Sequence, residues 1–181
     1  MLTNTIRGLW ILVCTALVPI HVLAQSENLY TKMTVEQLAE HWLQLNCGID
    51  DEPLVVRAIK LRSKELAPVF RRSLETGPSA KTIDEVEQAA AQRAERRQAV
   101  LEDAPEMTGL SPEDLKRAQA RNRDAYVQRS RNNFIVAYRG QALSGLHLVD
   151  PDGTKSTLEQ LSSDNTSPLQ GTARALLGRT E

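Results

Sequence analysis

The chain has 181 residues, of which 41% are hydrophobic, 25% charged and 4% aromatic, with a formal net charge of −1. That length suits one domain, and the composition excludes collagen-like, low-complexity and strongly disordered chains. The balanced charge argues against a nucleic-acid binder, and Tyr126 alone makes a poor stacking platform.

The first segment reads as an address. Arg7 precedes an apolar run over residues 9–20, which Pro19 and His21 break, and Val22, Leu23 and Ala24 supply the residues a signal peptidase reads. The run is shorter than the roughly 20 apolar residues that span a bilayer, so the expectation is a signal peptide over 1–24 cleaved after Ala24, not an anchor helix. No stable transmembrane span then remains, and the protein is periplasmic or secreted. Residues 25–181 form a single α-helical domain with 21 basic and 23 acidic residues. Their one cysteine, Cys47, has no internal partner for a disulfide. It reads as a small buried side chain at a helix end, with an intermolecular disulfide as the alternative.

Helix starts recur along the rest of the chain. In a capping box a Ser or Thr hydroxyl accepts from an orphan N–H, and an acid or amide three residues later reaches back to the cap. Thr34 with Gln37, Thr82 with Glu85, Ser156 with Glu159 and Ser167 with Gln170 fit, and Ser111 with Asp114 is a near relative. The apolar spacing agrees. Val35, Leu38, Trp42 and Leu45 share a helix face, and residues 54–74 read as two short helices split near Ser63 and Lys64. Pro68 suits the first turn of the second helix, which Gly77 and Pro78 end.

A long helix is predicted over residues 82–104, with Ile83, Val86, Ala90, Ala94 and Leu101 on one face. Breakers follow at 105–109, and residues 111–149 read as a second long helix, kinked at Asn132–Asn133 or Gly140. Short connections make the pair an antiparallel hairpin over about 82–149. The early apolar face of its second helix (Leu115, Ala118, Ala125, Tyr126) is thin and the late one (Phe134, Ile135, Tyr138, Leu143, Leu146) is rich. The far end of the hairpin is therefore the expected weak point. No stretch alternates with period two, so almost no sheet is expected.

Two stretches carry a family resemblance. Residues 54–78 (LVVRAIKLRSKELAPVFRRSLETGP) and 141–178 (QALSGLHLVDPDGTKSTLEQLSSDNTSPLQGTARALLG) resemble HEAT-type, armadillo-like helical repeats: helix, turn, helix with an early proline or cap, then a glycine stop. In such repeats each helix pair buries its apolar face on a neighbour. The resemblance implies a binding scaffold without shared catalytic residues. The fold expected is all-α, an irregular array of HEAT-like helix pairs with a long antiparallel hairpin.

Charges alternate in blocks: −5 over 25–54, +5 over 55–72, −4 over 73–111, +4 over 112–139 and −2 over 140–181. Neighbouring helices with complementary faces explain this, each exposed pair contributing about 0.3–0.5 kcal/mol. The sharper reading is a surface for an anionic partner, built from Arg57, Lys60, Arg71 and Arg72, or from Lys116, Arg117, Arg121 and Arg123 with Arg129 and Arg131.

Motifs for chemistry do not assemble. His41 and His147 lack a second histidine or a cysteine at metal-ligand spacing. Asp150 to Thr154 lacks the glycine and glutamate of a calcium loop and reads as a turn between helices. No Gly-rich phosphate cradle and no G-x-S-x-G is present. The expected function is an exported, non-catalytic helical interaction or scaffold module of the cell envelope. It would use no metal or cofactor and would bind an unidentified protein or an anionic envelope component. The alternative is a periplasmic holdase-type chaperone, since Thr34–Gln37 after Met33 and Leu110–Asp114 resemble the LTxxQ motifs of Spy/CpxP proteins.

Overall fold

A computed structural model describes residues 30–45, 53–120 and 122–178, and among them it contains helices and turns and no strand. The expected signal peptide, Cys47 and Arg121 lie outside the described residues. The elements are α1 (Val35–Gln44), α2 (Pro53–Leu61), α3 (Ser63–Thr76), α4 (Ala80–Asp103), a 3-10 turn (Pro105–Thr108), α5 (Pro112–Gln119), α6 (Arg123–Val149), α7 (Pro151–Ser163) and α8 (Gln170–Leu177). The fold is all-α.

Two of the five expected caps stand where the sequence puts them. Thr34 Oγ1 accepts from Gln37 N at 3.2 Å, and Gln37 Oε1 accepts from Thr34 N at 2.9 Å. Ser111 Oγ accepts from Asp114 N at 3.2 Å. The other three helices start elsewhere. α4 begins earlier, on Ser79, whose Oγ accepts from Thr82 N at 3.1 Å, because this is the first hydroxyl after the Gly77–Pro78 turn. α7 begins on Asp150, which accepts from Gly153 N at 3.0 Å with Pro151 at the first helical position; Ser156 lies inside the helix. The segment read as an inter-helix turn is thus a helix start. At α8, Ser167 Oγ takes Leu169 N, while the Gln170 amide donates to Ser162 O and Asn165 Oδ1 and so cannot close the box.

α2 and α3 divide at Arg62, one residue before the expected split, and Pro68 sits inside α3 rather than in its first turn. Gly77 ends α3 with a φ of 74°, its N–H donating to Ser73 O at 2.9 Å.

The second long helix is two helices. Asn122 Oδ1 accepts from Asp124 N at 2.8 Å and Ala125 N at 3.3 Å, which starts α6 afresh. An asparagine side chain competes with the helical ladder for these N–H groups, and the thin apolar face around it offers little packing to oppose the break. α6 then runs unbroken through Asn132–Asn133 and Gly140, where kinks were expected.

α6 is the centre of the fold. It packs against α1, α2, α3, α4, α7 and α8. Its last half is buried on more than one side: Tyr138, Ala142 and Leu146 join Leu38, Trp42, Val55, Ile59, Leu66 and Phe70 in the main core. Leu143, on another face, meets Leu158, Ala173 and Leu176. Trp42 Nε1 donates to Gln141 O at 2.8 Å, pinning α1 to α6. Tyr138 Oη donates to Glu40 Oε2, and burial first, then the Glu40 charge, raises its pKa.

The hairpin is antiparallel, as expected. Arg123 pairs with Glu95 at 2.7 Å and Arg131 with Glu87 at 3.3 Å, so a step up α6 matches an equal step down α4. Nearer the base Arg139 donates to Glu75 O, and at the tip Gln119 donates to Leu101 O. Burial is sparse along it. Only Ala90 and Leu101 of α4 and Ala118 of α5 are buried, and no residue of α6 before Tyr138 is.

Candidate functional site

The far end of the hairpin carries both a cavity and an exposed apolar cluster. A groove of about 730 Å³ lies where α4 faces α5 and the start of α6. Its floor holds the buried Leu101 and Ala118 and the half-buried Tyr126. The cap at Asn122 explains the site: a continuous helix would have carried one face along α4, whereas α5, ending at Gln119, and α6, starting afresh at Arg123, leave a hollow beside it.

Around this floor stand Arg93, Arg97, Arg123 and Arg129. Arg123 is held by Glu95. Arg93, Arg97 and Arg129 form no ion pair among the described residues. Arg129 Nε donates to Ala125 O at 3.2 Å, which fixes its side chain along α6. Cationic guanidinium groups over apolar and aromatic surface are typical of interface centres, since arginine offers both planar hydrogen bonding and a large contact area.

Beside the groove a smaller hollow is lined by Arg96, Arg97, Val100, Leu101, Thr108 and Leu110. Val100 and Leu110 are exposed there, and Met107 on the 3-10 turn is 80% exposed. Gly109 turns the chain through a φ of 61° between Met107 and Leu110, so this turn and the end of α4 present the three side chains.

The sequence-derived basic residues do not form one surface. Arg57 and Lys60 on α2, and Arg71 and Arg72 on α3, are exposed at the base of the fold, where Arg71 meets Asp150 at 3.3 Å. Lys116 and Arg117 are exposed on α5, and Arg117 faces Glu113 at 3.4 Å and Asp114 at 3.8 Å. Arg123 and Arg129 line the groove, and Arg131 is engaged by Glu87. The groove also draws on Arg93 and Arg97, which the sequence reading missed because they lie in a block of net charge −4. Their spacing with Arg96, which puts the three along one side of a helix, was the available signal.

The Thr166 hydroxyl and backbone N–H lower the pKa of Asp164 and organise the turn into α8. His41 packs its ring 5.5 Å from that of Tyr30. Among the described residues no three His, Cys, Asp or Glu side chains converge as metal ligands, and no helix is long and apolar enough to cross a membrane. No protein-family model matches the chain, and neither a curated protein nor a solved structure matches it.

Proposed function

We propose that this protein is an exported, non-catalytic helical interaction module of the cell envelope, and that its contact element is the far end of the α4–α6 hairpin. The observation that carries the reading is the groove: three arginines without carboxylate partners over an apolar floor, on a part of the fold that contributes little to the core. Groups left this way gain most from a partner that supplies carboxylates and apolar contact together. Export rests on the apolar run at residues 9–20 and the small-residue site ending at Ala24. The pairs α2–α3 and α7–α8, which resemble HEAT-type repeats in sequence, would serve as the framework that fixes the root of the hairpin.

A photo-crosslinking side chain tests this in cells. Placed at Ala99, which lines the groove, it should give a discrete adduct, and placed at exposed Glu159 on α7 it should give none. No adduct at Ala99, or equal adducts at both positions, contradicts the reading. A smear of adducts of many masses at Ala99 would instead favour the holdase alternative.

A further inference from the structure

We propose that the partner at the hairpin is a second copy of this chain, with the two α4 helices crossing antiparallel in a two-fold dimer; this rests on the reading that the far end of the hairpin is the contact element. The observation is a charge pattern that complements itself. About a midpoint between Ala99 and Val100, Arg96 is mirrored at equal spacing by Asp103 at the end of α4, and Arg93 by Glu106 on the turn that follows. A two-fold axis through that midpoint sets the basic half of each stripe against the acidic half of the other.

An exposed stripe of α4, at the rim of the groove and of the smaller hollow beside it, can do this. Arg93, Arg96, Val100 and Asp103 follow one another at intervals of three and four, so they form one stripe along the helix. All four are exposed, and Arg93, Arg96, Asp103 and Glu106 make no ion pair among the described residues. The helix is secured to its neighbours by other residues: Ala90 and Leu101 are buried, and Glu95, the charge that breaks the pattern, is taken by Arg123. In the antiparallel pair Arg96 of each copy lies opposite Asp103 of the other, Arg93 is directed to Glu106, and Val100 lies next to the axis beside Ala99.

Apolar surface is concentrated in the same place. Of the four large hydrophobic side chains exposed among the described residues, Val100, Met107 and Leu110 are at this tip, and only Leu61 is elsewhere. Isolated exposed apolar residues need no explanation, but three within one turn region mark a contact surface. Val100 supplies the centre of the contact, and Met107 and Leu110 lie toward either end, where the tip of each hairpin overlaps the other. Charge pairs at the flanks then fix register and the antiparallel sense.

Sedimentation equilibrium of the purified protein tests the pairing through two charge-reversed variants. Arg93→Glu with Arg96→Glu makes the stripe wholly acidic, and Asp103→Arg with Glu106→Arg makes it wholly basic. Wild type is expected to dimerise, more weakly as salt rises. Each variant alone is expected to be monomeric, with association weakened by at least about 10-fold for these charge reversals. An equimolar mixture of the two is expected to recover the dimer, because both flanks are then attractive. Circular dichroism that matches wild type shows that each variant is folded. A wild type that stays monomeric at high micromolar concentration, or a dimer that neither variant weakens, overturns the inference. So does a mixture that stays monomeric. An Ala99 adduct with a mass other than twice the chain would also overturn it, while leaving the proposed function standing.

Discussion

Replacing Phe70 with alanine is expected to lower the stability of the fold by about 3–5 kcal/mol, seen as a large shift in the midpoint of urea unfolding. Phe70 is fully buried on α3, and its ring faces Gly145 of α6 in the cluster that also holds Trp42 of α1. Truncation removes apolar area and leaves a cavity bounded by three helices, which cannot collapse without moving the Trp42 anchor to Gln141. Val100→Ala at the hairpin tip removes two methyl groups from an exposed site and, in the dilute protein, is expected to change the midpoint little.

Gly145→Ala is expected to be the most damaging of the conservative changes, costing about 1–3 kcal/mol and lowering Tm by several degrees. A Cβ added there would lie 2.7 Å from Trp42 Nε1 and 2.9 Å from the Phe70 ring. Both rings are immobilised, so α1 and α3 would have to withdraw from α6. Gly171 is the control. It lies in α8 with open space where a Cβ would stand, and alanine there is expected to stabilise the protein by about 0.4–1 kcal/mol through the unfolded chain. Thermal unfolding of the two variants should therefore shift in opposite directions. A fall in both would mean that helix α8 is not packed as described.

Much of this architecture was legible because local signals and packing agree. Leu38 and Trp42 sit on the face that the three- and four-residue spacing predicts, and Ile83, Val86, Ala90, Ala94 and Leu101 face inward along α4 to differing depths. What failed was competition between nearby signals. Ser79 and Asp150 took caps assigned to Thr82 and Ser156 because each follows a turn closely and meets the first free N–H groups. The second hairpin helix read as continuous because no Gly or Pro marks residues 120–122; an Asn cap alone divides it. The groove was the least legible feature. It joins Arg93 and Arg97 to Tyr126 and Arg129 across an antiparallel register, and summing charge along the chain merged those arginines with acids on other faces. The rich apolar half of α6, by contrast, announced a helix that several others surround.

The structure separates a densely packed base, centred on the last half of α6, from a hairpin whose far half is held by few buried contacts. Amide hydrogen exchange resolved by segment, on the dilute protein, tests this most directly. Slowest exchange is expected in α1 and in residues 138–149, with exchange faster by orders of magnitude in residues 93–119. Protection of residues 93–119 equal to that of the base would contradict the account.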